Sequence, residues 1–290
     1  MPVAKARPFL DLLKRRRGFF RHDAFDQDLF DRIMAKPKPH NLYAIFFTPR
    51  SGSTRVTRLI GDAKLSNHPG EFFNEYFIDQ IAQRHSARNL REFVDLIQRH
   101  RQRGGQFGFE ITYKQLATTF LTGGRFLSIV KPDHTAWLMR EDIVAQAVSG
   151  SRLVQTQVPH TPTADQVKLE KAEQQFSYDA PQIAAMIKRI MWMEARTEKL
   201  IQRANLDTFR FSYEMTNALG PERTTRLLAT KLGLPVPAGE VVELHQKLPG
   251  TKGHAFAERF RAEHMALVAN VEEQRAPLLA FIEKQKELYL

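Results

Sequence analysis

Five consecutive residues, Arg50, Ser51, Gly52, Ser53 and Thr54, place a guanidinium fork, three hydroxyls and a glycine in one short stretch. That mixture suits an anion with several oxygens. Arginine donates paired hydrogen bonds, hydroxyls add directed donors, and glycine lets backbone N–H groups come close. Before them, the apolar run Tyr43, Ala44, Ile45, Phe46, Phe47 predicts a buried strand that Thr48-Pro49 ends. After them, Val56, Leu59 and Ile60 recur at helical spacing, so the five residues open a helix at its positive, donor-rich end. The nucleoside triphosphate loop needs G-x-x-x-x-G-K-[ST], whereas this turn has one glycine and no lysine. An ordinary ATPase or kinase loop is disfavoured. A phosphate cradle with Arg50 in place of the lysine remains, beside a plain capped helix that binds nothing.

Elements able to carry such a turn recur along the chain. Leu90, Phe93, Val94 and Ile97 follow helical spacing, with Asn89 and Glu92 in capping positions. Phe107, Phe109, Ile111 and Tyr113 alternate as a strand does, and so do Phe209, Phe211 and Tyr213. The segment "RFLSIVK" from Arg125 suits a strand or a short helix equally. Ile183, Met186, Ile187, Ile190 and Trp192 predict a long helix with a core-facing stripe. Gly220-Pro221 opens a further helix that Gly233 closes, and residues 160–178 read as a mobile connection or lid. Helical stripes alternating with short β-type runs predict an α/β fold with a largely parallel sheet.

The 290 residues, 42% of them hydrophobic, can bury one substantial core. No apolar run reaches the ~18 to 20 residues that cross a bilayer, and the basic start is broken by Asp11, so a soluble protein without a cleaved signal peptide is expected. The absence of cysteine removes disulfides, thiolate metal sites and cysteine nucleophiles, and fits a cytoplasmic location. A net charge of +11 attracts polyanions, yet no zinc ligands, basic zipper or aromatic RNA-binding signature accompanies it. Residues 1–40 form a basic, amphipathic extension and 41–290 the main domain. Within the extension, apolar residues flank Lys14, Arg15, Arg16 and Arg17, so residues 5–20 could lie on an anionic membrane face or pack on the domain or a partner. Phe25, Leu29, Ile33 and Met34 make a second stripe before a linker at residues 36–40.

Separate segments, in order, resemble the sulfotransferases and within them the trehalose 2-sulfotransferase family. "TPRSGST" at 48–54 is similar to that family's 5'-phosphosulfate loop, and "HPGEFFN" at 68–74 to the acidic turn that follows it. "FGFEITYKQ" at 107–115 comes next, and "REDIVAQAVSGSRLVQT" at 140–156 is similar to the 3'-phosphate segment. Weaker likeness extends the match over most of residues 42–263. The resemblance implies a P-loop-like sulfotransferase fold with a central, largely parallel sheet flanked by helices, and a strand at 135–139 leading into Arg140. It implies transfer of a sulfuryl group from 3'-phosphoadenosine 5'-phosphosulfate (PAPS) to a hydroxyl of a carbohydrate or glycolipid, without a metal, by a protein that can pair as a homodimer. Arg50, Ser51, Gly52, Ser53 and Thr54 would then hold the 5' end of PAPS, Arg140 and Ser149 its 3'-phosphate, and Glu71 would be the base.

These assignments make chemical sense, with alternatives beside them. Charge grows on the departing nucleotide as sulfur leaves it, and each fixed donor that meets this charge can contribute ~3 kcal/mol. An alcohol also needs a proton acceptor within reach. Glu71 follows a Pro69-Gly70 turn, and Phe72 and Phe73 would desolvate it. His68 is a competing base, and Glu71 could instead only orient a sugar hydroxyl. Ser149 could be a small packing residue beside Ala145 and Ala147, and Gly150 puts a weak helix former next to it. Phe73, Tyr76 and Trp137 are candidates to stack on a sugar, and Lys252 could reach the nucleotide. Two other classes stay open: a P-loop-like nucleotide-binding phosphotransferase, and a basic nucleic-acid-binding or scaffold protein.

Overall fold

The computed structural model describes residues 18–20, 25–158, 166–237, 239, 241 and 251–290. Its centre is a four-stranded, all-parallel sheet in the order β2-β1-β3-β4. The strands are β1 (Asn41–Phe47), β2 (Gln106–Ile111), β3 (His134–Met139) and β4 (Thr208–Ser212). Every residue of β1 is buried, because a parallel sheet is covered on both faces. Leu42, Ala44 and Phe46 enter one apolar cluster, while Tyr43, Ile45 and Phe47 enter another on the opposite face.

Helices cover both faces. The first cluster takes in α1 (Gln27–Met34), α3 (Ile78–Arg84), α4 (Leu90–Arg101), α5 (Tyr113–Phe120) and α6 (Gly123–Val130). The second is closed by α2 (Ser53–Asp62) and α10 (Tyr213–Lys231). A third joins α7 (Ile143–Thr156), α9 (Ala180–Ala204), α11 (Thr251–Glu263) and α12 (Met265–Tyr289). The α/β architecture expected from the pattern is therefore present, as a P-loop-like sheet flanked by helices.

Differences from expectation are local and have causes. Tyr113 and Tyr213 do not extend their strands, since Thr112 and Ser212 each cap a helix, accepting from the N–H of Gln115 and Met215. The ambiguous segment after Thr122 is helix α6. Gly220, at φ 73° and ψ 175°, interrupts α10 and Pro221 restarts it, and Gly233 at φ 65° turns the chain after its end. Trp192 stands outside the α9 stripe and is 45% exposed. Part of the expected lid is α8 (Gln166–Gln175), while residues 159–165 and the basic run at 14–17 lie outside the described residues.

The strand order positions the site. From β1 the chain goes to β2 on one side and then crosses to β3 on the other, so the order reverses between β1 and β3. In open α/β sheets ligands bind beyond the carboxyl ends of the strands at such a point. Phe47 pairs with Leu138 there, so β1 and β3 release Thr48 and Arg140 side by side.

Candidate active site

A cavity of about 1130 Å³ opens at this edge, lined by Arg50, Gly52, Ser53, Thr54, Glu71, Arg140 and Ser149 among others. Local geometry explains the loop residues. Arg50 has a left-handed φ of 69°, uncommon for a residue with a side chain and a form of strain that gathers at working sites. Gly52 follows at φ 89° as the N-cap of α2, with no side-chain cap, which leaves the helix's first N–H groups free of any capping side chain. A Cβ on Gly52 would lie 2.4 Å from the Tyr213 ring, so only glycine fits. Ser51 is the exception among the five. Its side chain is buried behind the loop, does not line the cavity, and its Oγ has no hydrogen-bond partner.

The second patch meets the first directly. Arg50 Nε donates to Ser149 Oγ at 3.0 Å, and Arg140 Nη1 lies 3.5 Å from the Arg50 carbonyl oxygen. Helix α7 runs unbroken through Gly150 and turns Ala145, Val148, Ser149 and Arg152 to the cavity. Gln146, on another face, is a staple: its amide donates to Thr48 Oγ1 and to the Pro49 carbonyl, both at 2.8 Å. Arg152 and Tyr213 escaped the sequence reading. Arg152 follows Ser149 by one helical turn, a spacing that puts both polar side chains on one face of the helix. Tyr213 touches both patches, since its ring backs Gly52 and lies 5.3 Å from the Arg140 guanidinium.

These groups fit a polyanionic nucleotide. Burial, followed by the charges of Arg140 and Arg152, holds the Arg50 guanidinium below its ordinary pKa. Cations crowded this way need an anion between them. Two carboxylates pair only loosely with them: Glu214 accepts from the N–H groups of Glu141 and Asp142 and lies 3.9 Å from Arg140 Nε, which has no hydrogen-bond partner. Glu173 faces Arg152 at 3.4 Å.

Glu71 lines the same cavity on the β2 side. Asn74 Nδ2 donates to its Oε2 at 2.8 Å and Gln115 Nε2 donates to the same oxygen, while Oε1 takes no hydrogen bond among the described residues. His68 lies off the cavity, exposed, 3.0 Å from Asp62 and packed over Gly61. The two phenylalanines after Glu71 anchor the turn and do not line the cavity. Phe73 is buried edge-on against Phe109 and Phe120 at 5.1 and 5.0 Å, and Phe72 stacks on Phe107. Phe73 and the fully buried Trp137 are thus core residues and cannot stack on a sugar, whereas exposed Tyr76 lines the cavity. Lys252 points to the end of α8, donating to the carbonyls of Gln174 and Phe176 at 3.1 Å, and its neighbours Gly253 and His254 reach the cavity instead.

A model of the Stf0 sulphotransferase family matches residues 42–263. The chain belongs to that family. Membership supports sulfotransferase activity, and the matched stretch holds the loop, the acidic turn and the α7 segment described above. No curated protein matches the chain. One buttress of this Stf0 sulphotransferase lies past the matched stretch. Arg275 of α12, almost fully buried, bonds both oxygens of Glu194 at 2.9 Å and donates to the carbonyls of Arg140 and Glu141 at 2.6 and 2.7 Å.

Proposed function

We propose that this sulfotransferase moves a sulfuryl group from PAPS to a hydroxyl of a carbohydrate or glycolipid, with Glu71 as general base. The observation that carries this reading is the contact from Arg50 to Ser149, which joins the two anion-binding patches across one cavity. Bound PAPS would supply the sulfuryl group and a nucleotide leaving group. Arg50, the Ser53 and Thr54 hydroxyls and the N–H groups at the start of α2 hold its 5' end and meet the charge that develops there. Arg140, Ser149 and Arg152 hold the 3'-phosphate. Glu71 takes the acceptor's proton on Oε1, while Asn74 and Gln115 fix Oε2.

The cavity volume, about 1130 Å³, exceeds the roughly 300–1,000 Å³ of single-ligand sites and leaves room for an acceptor beside the nucleotide. Tyr76 offers that acceptor an aromatic face. A glycolipid would be met at the cytoplasmic side of a membrane with residues 5–20 against the lipid. No described helix is long and apolar enough to cross a bilayer. Pairing as a homodimer belongs to the same proposal.

Thermal unfolding with 3'-phosphoadenosine 5'-phosphate (PAP), without magnesium, tests the donor. Stabilisation by about 2.7 kcal/mol is expected at one hundred times the dissociation constant. No shift with PAP would overturn the assignment. A larger shift with magnesium-ATP would favour a phosphotransferase, and steeply salt-dependent DNA binding that survives Arg140→Ala would favour a nucleic-acid binder.

A further inference from the structure

Arg152 already has a partner that the bound nucleotide must displace. Its guanidinium lines the cavity from α7 and is almost fully buried, and the Glu173 carboxylate faces it from α8. Glu173 Oε2 lies 3.4 Å from Arg152 Nε, yet that nitrogen makes no hydrogen bond among the described residues. The pair therefore holds by charge, without the directed contact that makes arginine–carboxylate pairs strong. The other oxygen is tethered, since Oε1 accepts from the backbone N–H of Lys252 at 3.1 Å, where α11 begins. The Lys252 ammonium in turn donates to the carbonyls of Gln174 and Phe176, so the chain just past Glu173 is clipped to α11. Glu173 also lines the cavity and keeps 26% of its side chain exposed, so the carboxylate is not sealed against Arg152.

A phosphate and a carboxylate on the same guanidinium repel each other, so each weakens the hold of the other. The phosphate has the better chemistry, because its oxygens can meet the planar fork in pairs while Glu173 stands off Nε with no hydrogen bond formed. The Lys252 tether keeps the displaced carboxylate within reach, ready to return when the phosphate loosens. Arg140, Ser149 and Arg152 would otherwise all grip the product after transfer, and product release limits the turnover of many enzymes. Resting on the donor assignment above, we propose that Glu173 is an internal competitor for Arg152, displaced by the 3'-phosphate on binding and re-entering to speed the release of PAP.

The test is PAP binding to wild type, Glu173→Gln, Arg152→Met and the double variant, with affinity from calorimetry and release from stopped flow. The glutamine keeps an oxygen for the Lys252 N–H and loses the charge. Glu173→Gln should bind PAP about fivefold more tightly, on the scale of one loose ion pair, with most of the gain in slower dissociation. Adenosine 5'-monophosphate, which lacks the 3'-phosphate, should gain less than about twofold, and so should PAP when Glu173→Gln is added to Arg152→Met. Unchanged or weaker PAP binding by Glu173→Gln would overturn the proposal, and an equal gain for the monophosphate would too, because it would make Glu173 a distant charge only. The Arg152 Nε–H signal, followed by NMR and assigned by its loss in Arg152→Met, separates this from the donor assignment. Glu173→Gln should shift that signal, and inorganic phosphate should then move it at a lower concentration than in wild type. A lowered phosphate requirement supports the proposal even if PAP fails to bind and the donor assignment falls, whereas equal phosphate dependence in the two proteins defeats it.

Discussion

Arg50 Nε donates to Ser149 Oγ across 3.0 Å, although 99 residues separate the two in sequence. Groups in direct contact do not contribute independently, so their substitutions should couple. Arg50→Ala should weaken PAP binding by about 3 kcal/mol, Arg50→Lys nearly as much because a point charge lacks the fork, and Ser149→Ala by about 1 kcal/mol. The calorimetric double-mutant cycle should show a coupling of at least about 0.5 kcal/mol. Strict additivity would mean that the two residues serve different ligands.

Gly52→Ala should damage both fold and binding. Its left-handed φ costs a residue with a side chain about 1–2 kcal/mol, and the new Cβ would sit 2.4 Å from the Tyr213 ring. Displacing that ring also removes the face beneath Arg140. A lower melting temperature together with loss of PAP binding is expected. Pairing Gly52→Ala with Tyr213→Ala relieves the clash and leaves the backbone cost, so it should recover stability only in part.

How legible all this was in sequence depends on the range of the interaction. The strand at Tyr43, the turn and α2 are local, and periodicity with turn chemistry predicts them from eighteen residues or so. The meeting of Arg50 with Arg140 needs the parallel pairing of β1 with β3, a tertiary fact that residue patterns imply only through the resemblance to known sulfotransferases. Phe73 and Trp137 were misassigned because an aromatic side chain reads alike whether it stacks on a sugar or fills a core. Burial alone separates the two. Glu110 sits in a strand as an acid among phenylalanines, and its raised pKa comes from burial and from Glu71, which lies 39 residues away in sequence.

Arg275 and Glu194 form a buried ion pair that also holds the backbone of Arg140. Removing one partner strands the other's charge, so Arg275→Met should cost about 3–5 kcal/mol in denaturant unfolding. Replacing both, Arg275→Met with Glu194→Met, should recover much of this, yet the Arg140 and Glu141 carbonyls would still lack their donor. PAP affinity should therefore stay reduced in the stable double variant. Full affinity there would show that α12 serves stability alone.

Glu71→Gln retains shape and most hydrogen bonding but cannot take a proton. Turnover should fall by about 10² to 10⁴ while PAP affinity barely changes. His68→Ala should leave turnover within about twofold, since that ring lies off the cavity against Asp62. Near-normal turnover of Glu71→Gln would reduce Glu71 to an orienting group, and collapse of His68→Ala would move the base to His68.

Glu110 also predicts how stability varies with pH. Its folded pKa is raised from the ordinary carboxylate value to about 8, so between roughly pH 4.5 and 8 the folded chain holds a proton that the unfolded chain has released. Stability from this group is complete below pH 4.5 and is lost as pH climbs through 8. By pH 7 the loss is on the order of 3 kcal/mol. His85 acts in the opposite sense, because burial lowers its pKa to about 4 and its contribution disappears as pH falls from 6.5 through 4. The wild-type profile mixes the two, and the difference between wild type and Glu110→Gln isolates the acid. Urea unfolding should find Glu110→Gln more stable than wild type at pH 8, with the gap closing toward pH 4.5. A gap independent of pH would show that Glu110 is ionised in the fold.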